Sequence, residues 1–288
     1  MKKIFLLIVL QTMLALPMMV KGQTKRALVI GLGKQEDPNW SKINGDKDVP
    51  YVLKMLNKAN YGQIITCVNE QATKAGIVSA FRALEQSCQT NDVVYVHYSG
   101  HGQQVRDRSN DENDALDESW IPYDAYLKPC EKDGGEKHLI DDEINMYLTN
   151  IRYKIGNGGK MLVVVDACHS GDGTRASDEI IRGVSDTFDV VKSWLMKPSG
   201  YSSVVFPNIE QWITLTACES NQVNIEMKEP KVGKLTYAIY KIGVEKQENN
   251  EHFFLKLSRF MNANSGTRPQ RPTMTGETDK YNMTDILR

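Results

Sequence analysis

Short β-branched runs alternate along this chain with segments whose apolar residues recur every three or four positions. Residues 26–31 and 161–166 (MLVVVD) are bounded by turn formers and read as strands buried on both faces. Residues 93–98, 63–69 and 212–217 read the same way. Between them, Val49, Val52, Leu53 and Leu56 repeat at helical spacing, with Pro50 where a first turn tolerates it. Ile77, Ala80, Phe81 and Leu84 form a second helical stripe, and Ile144, Leu148 and Ile151 a third. Alternating β and α at these intervals predicts an α/β fold, one mostly parallel β-sheet flanked by helices on both faces. Two stretches break the alternation. Residues 106–138 are polar and too long for an ordinary connection, which marks a functional loop. Residues 172–207 lack a period and read as a linker or flap.

The N-terminus follows a different pattern. Lys2 and Lys3 precede the apolar run 4–20, which ends in Val20-Lys21-Gly22 and then Gln23, the layout of a signal peptide over residues 1–22. A membrane anchor is the competing reading, but ~17 apolar residues interrupted by Pro17 are barely long enough to span a bilayer. The expected organisation is therefore a signal peptide at 1–22 and a single domain at 23–288, exported to the periplasm or the cell exterior with no stable membrane span in the mature form. With 35 basic against 36 acidic residues the net charge is -1, which gives no drive toward nucleic acid. The five cysteines, 67, 88, 130, 168 and 218, lack C-x-x-C spacing. An odd number in an exported chain leaves at least one thiol unpaired.

In open α/β sheets, ligands bind beyond the carboxyl ends of the strands. The run 93–98 is followed by Ser99-Gly100-His101-Gly102, and the run 161–165 by Asp166-Ala167-Cys168-His169-Ser170-Gly171. If the two strands are parallel neighbours, His101 and Cys168 emerge at one edge. An imidazole beside a thiol raises its thiolate fraction and can later protonate a leaving amine, so the pair supplies nucleophile and base without a cofactor. His169 is a rival base, although chain neighbours tend to point apart. His97 falls inside a strand and is expected to be a hydrogen-bonded core residue. Gly31-Leu32-Gly33 after the first strand offers a nucleotide-binding alternative, but it lacks the third glycine.

SGHG at 99–102 and DACHSG at 166–171 resemble the His and Cys motifs of the caspase and metacaspase group of cysteine peptidases, with bacterial metacaspase-like peptidases the nearest variant. RALVIGLG, DENDALDESWIPYD, IDDEI, GKLTYAI and QRPTMTG extend the likeness over most of the chain. The resemblance implies a caspase-like fold and a Cys-His dyad working through an acyl-enzyme, with the backbone N–H groups of Gly102 and Cys168 as oxyanion donors. A peptide or protein with a basic P1 residue is the implied substrate. An inactive caspase-like binding module is the alternative.

Asp166 stands where caspases carry Gln, two residues before the nucleophile and hence on its side of an extended strand. A carboxylate there attracts Arg or Lys. By resemblance, Asp48 in Asn44-Gly45-Asp46-Lys47-Asp48 is the second acidic wall. The family likeness also implies a calcium site on Asp124, Asp141 and Asp142; the plainer reading of Asp141 and Asp142 is a helix N-terminus. Self-cleavage is expected within residues 172–207, an aperiodic and exposed segment containing Arg175, Arg182, Lys192 and Lys197, unless Arg175 and Arg182-Gly183 are structural.

Overall fold

A computed structural model of the protein describes residues 23–106, 116–169, 179–189, 211–220, 222–243, 245–264 and 268–288. The signal-peptide expectation for 1–22 and three of the four basic residues expected as cleavage points (Arg175, Lys192, Lys197) lie outside them.

Six strands form the central sheet: β1 (Lys25–Gly31), β2 (Gln63–Val68), β3 (Val93–Ser99), β7 (Lys160–Asp166), β8 (Ile213–Thr216) and β9 (Thr273–Gly276). Their order is β2-β1-β3-β7-β8-β9, all parallel except β9. The strand periodicity of two then divides the apolar residues between the two faces. Ala27, Val29, Val93, Tyr95, Leu162 and Val164 pack against α1 (Gly45–Lys58), α4 (Lys234–Ile242) and α5 (Asn250–Ala263). Leu28, Ile30, Val94, Val96, Met161 and Val163 pack against α2 (Lys74–Ser87) and α3 (Asp141–Ile155). The result is a three-layer α/β sandwich, as the alternation predicts. No helix among the described residues is long and apolar enough to cross a membrane.

Two expectations need correction. Pro50 is not in the first turn of its helix, because α1 begins at Gly45 and contains it internally. The region 106–138 is not one continuous loop: β4 (Gly102–Arg106), β5 (Leu116–Trp120) and β6 (Leu139–Ile140) build a small antiparallel sheet. Its strands are hard to read because Gln103, Asp117 and Ser119 are polar yet buried. Gly31 serves packing rather than phosphate: a Cβ there would come within 2.4 Å of Val49 and 2.6 Å of the Gly45 carbonyl, so its absence lets α1 lie against β1.

Candidate active site

The parallel register pairs Ser99 with Asp166, so His101 and Cys168, each two residues further on, leave neighbouring strand ends. Gly102 closes the gap between them: a Cβ on it would lie 2.6 Å from the Cys168 carbonyl oxygen. Both His101 and Cys168 are buried. The His101 ring is held by its Nε2, hydrogen-bonded to the Ser41 carbonyl at 2.8 Å, and by the Trp40 ring at 4.9 Å. A ring anchored through Nε2 to a carbonyl carries its proton there, which leaves Nδ1 as the basic nitrogen. The Cys168 thiol donates to the Gln222 carbonyl at 2.6 Å, and the Cys218 thiol donates to the same oxygen at 3.6 Å. The adjoining Cys168 thiol, then burial, pushes the Cys218 thiol well up, so it stays protonated. All five cysteines are free thiols.

Beside the thiol lies an acidic pocket. Asp166 ends β7 with both oxygens engaged: Oδ1 accepts from Asn224 Nδ2 at 2.7 Å, and Oδ2 accepts from the N–H and hydroxyl of Thr236 at 2.8 and 2.7 Å. Asp48 reaches it from α1, its Oδ1 bonded by the Gly233 N–H at 2.8 Å and its Oδ2 by Ser99 Oγ at 2.7 Å. The pocket is filled by the chain itself. Arg182 is completely buried, with Nη1 2.6 Å from Asp48 and 3.4 Å from Asp166, and Nε 2.9 Å from Glu226. Burial pushes Asp166 up, but Arg182 and its hydrogen bonds outweigh this and hold it below the usual carboxylate range. Asp48 goes the other way, up to about 6, because burial and the neighbouring Asp166 charge prevail over Arg182.

The backbone of the Arg182 segment is held as firmly as its side chain. The Cys168 N–H donates to the Arg182 carbonyl at 2.8 Å, the Arg182 N–H to the Asn224 carbonyl at 2.9 Å, and the Glu226 N–H to the Ile180 carbonyl at 2.9 Å. Ile181 and Ile225 form an antiparallel bridge. Residues 180–182 therefore lie as an extended strand along 224–226, the arrangement of a peptide bound by strand addition. Gly183 follows beside the nucleophile, so close that a Cβ would fall 2.2 Å from the Cys168 carbonyl oxygen. Within the segment expected to be exposed, Arg182 is wholly buried, and residues 180–183 lie against 224–226 and Cys168.

The other sequence candidates are placed as follows. His97 bonds Tyr95 at 2.9 Å and Ser99 at 2.8 Å inside the core, and burial lowers it to about 4. Burial also lowers His169 to about 4, which makes it a weak base at neutral pH, and its Nε2 has no hydrogen-bond partner among the described residues. Asp141 and Asp142 open α3, as the helix-start reading expects. Burial and the charges of Asp117, Glu118 and Asp142 push Asp141 up to about 8, and its buried Oδ1 accepts no hydrogen bond among the described residues. A cation would relieve that repulsion, so these residues fit a calcium ion in charge, with Asp117 and Glu118 as the natural partners. They are not prearranged to hold one: among the described residues no three His, Cys, Asp or Glu side chains form a metal-binding group. Asp124 is engaged elsewhere, accepting from the Lys74 N–H at 2.8 Å at the start of α2.

Sequence reasoning missed Glu226, Asn224 and Thr236. Thr236 lies in the GKLTYAI run at the start of α4, which was quoted only for the family likeness, whereas Asn224 and Glu226 lie beyond the end of β8 in a stretch where no local pattern distinguishes them from other polar residues.

The model of the metacaspase, peptidase C14 domain matches residues 25–177, more than half of the chain. Metacaspase-2 of Arabidopsis thaliana is 31% identical over 163 residues, which are 54% of this chain and 36% of that protein. Metacaspase-1A of Aspergillus oryzae is 36% identical over 156 residues, 51% of this chain and 35% of that one. Metacaspase-1 of Eremothecium gossypii is 38% identical over 99 residues, 34% of this chain and 20% of its own. The chain thus spans about a third or less of these relatives. A crystal structure of a Geobacter sulfurreducens protein matches the fold with a TM-score of 0.61 at 22% identity, covering 89% of this chain and 95% of that one.

Proposed function

The chain belongs to the metacaspase, peptidase C14 family, and from that premise we propose that it is a cysteine endopeptidase cleaving after Arg or Lys, with residues 180–183 as its own first substrate. The observation that carries this reading is the double engagement of Arg182. Its carbonyl accepts from the Cys168 N–H at 2.8 Å while its guanidinium lies among Asp48, Asp166 and Glu226. A P1 residue needs both: its side chain in the selective pocket, and its carbonyl oxygen on a donor that can stabilise an oxyanion.

In this mechanism the Cys168 thiol turns from the Gln222 carbonyl and passes its proton to His101. The thiolate attacks the P1 carbonyl carbon, and the oxygen gains charge against the Cys168 N–H, with the Gly102 N–H as second donor. Collapse breaks the C–N bond, His101 protonates the departing amine, and a thioester joins Cys168 to the P1 residue. Water, deprotonated by His101, then releases the carboxylate and restores the thiol. For the internal bond the products would be a chain ending at Arg182 and one beginning at Gly183.

The test is a panel of fluorogenic peptides varied only at P1, read on the full chain and on Cys168→Ala, with intact mass followed in parallel. Expected are turnover of Arg and Lys peptides, a cut after residue 182, and loss of both in Cys168→Ala. A preference for Asp or an apolar P1 residue, or turnover surviving in Cys168→Ala, overturns the reading.

A further inference from the structure

We propose that Glu226 is the residue that makes the pocket select Arg over Lys; this rests on the reading of Arg182 as a P1 residue. The three carboxylates of the pocket touch different atoms. Asp48 and Asp166 face Nη1, at the tip of the side chain. A lysine ammonium, one bond shorter, is the same kind of donor and could turn toward either. Glu226 instead accepts from Nε at 2.9 Å. In lysine that position is a methylene, which offers no hydrogen bond and would press a carbon against a carboxylate oxygen.

Glu226 is held for this contact. Its side chain is 1% exposed. Oε1 also accepts from the Asn44 backbone N–H at 2.7 Å, and Oε2 accepts from Asn44 Nδ2. Asn44 stands at the N-cap of α1, where Asn ordinarily turns its side chain back on the helix; here it makes no capping bond. Its amide is fixed from the other side by Lys47 Nζ, 2.6 Å from Oδ1. The start of α1 is therefore committed to aiming a carboxylate at Nε.

The remaining nitrogen sharpens the assignment. Arg182 Nη2 is buried with no hydrogen-bond partner among the described residues. Among the described residues, the Nε bond to Glu226 is thus the one hydrogen bond at which Arg exceeds Lys. Removing one partner of a buried charge-assisted bond leaves the other unsatisfied, which makes such sites strongly selective. The expected preference is about 10- to 100-fold in kcat/KM.

The experiment uses the full chain and two peptides, acetyl-Ile-Ile-Arg and acetyl-Ile-Ile-Lys aminomethylcoumarin amides, matching residues 180–182 except at P1. The ratio of their kcat/KM values does not depend on how much enzyme is blocked by its own segment, because both peptides meet the same free fraction. Wild type is expected to favour Arg by about 10- to 100-fold. In Glu226→Leu, where a methylene is welcome and Nε is not, the ratio should collapse toward one. Glu226→Gln keeps an acceptor without the charge and should fall between. A wild-type ratio below about threefold, or an unchanged ratio in Glu226→Gln, overturns the proposal, and neither measurement requires Glu226→Leu to fold. Failure to cleave either peptide would instead strike the underlying peptidase reading.

Discussion

Replacing Arg182 by Ala gives the most direct physical test of the filled pocket. The substitution leaves Asp48, Asp166 and Glu226 buried without their common cation. Breaking a buried pair by removing one partner costs about 3–5 kcal/mol. For a protein of this size each kcal/mol shifts Tm by about 2–4 °C, so Arg182→Ala should lower Tm by about 6–20 °C at pH 8. The pH dependence follows from the sign of each shift. In the wild type, Asp166 is held below its unfolded value and contributes stability above the unfolded pKa, lost as pH falls through the folded one. Without Arg182 that contribution is gone, and burial acts unopposed by the cation on both Asp48 and Asp166. Carboxylates raised in this way destabilise the fold as pH rises from the unfolded pKa through the folded one. The gap between wild type and variant should therefore be widest above pH 7 and shrink toward pH 4. Agmatine, an arginine lacking its carboxylate, should enter the emptied pocket. At tenfold over its Kd it returns about 1.4 kcal/mol, or about 3–6 °C, to Arg182→Ala. The wild type, its pocket already full, should respond far less. Differential scanning fluorimetry across pH 4–8 with and without agmatine reads all of this. A Tm equal to wild type at pH 8, a pH-independent loss, or equal agmatine stabilisation of both proteins would refute the reasoning.

Two further outcomes are expected. His101→Ala should abolish turnover nearly as fully as Cys168→Ala and the double variant should be little worse than either, whereas His169→Ala keeps substantial activity; additive losses in peptide assays would argue against a dyad. Asp141, raised to about 8, destabilises the fold as pH rises from its unfolded value toward 8, so Asp141→Asn should raise Tm in EDTA at pH 8 and abolish any stabilisation by added calcium. A calcium-induced Tm shift that is equal in Asp141→Asn and wild type would remove Asp141 from the site.

What the sequence disclosed and what it hid follow from the range of the interactions involved. The central strands were legible because parallel strands covered on both faces are continuous apolar runs, and β3 and β7 carry His101 and Cys168 at their ends. Asp166 was legible too, since a period of two turns it to the side of residue 168. The polar strand β5 was not, because Asp117 and Ser119 are buried by contacts that no local periodicity reports. Asp48 was reached only through family likeness. Arg182 has its partners 134, 16 and 44 positions away, at Asp48, Asp166 and Glu226. No window along the chain joins four segments so far apart, and an arginine in an aperiodic stretch reads as exposed. Charge balance would nonetheless have reached it. Two carboxylates assigned to a single buried pocket cannot both stay ionised without a cation. The chain had to supply that cation from a segment able to lie beside Cys168. Among the basic residues of 172–207, Arg182 is the one followed by a glycine, and only a residue without a Cβ fits at 183 against the Cys168 carbonyl.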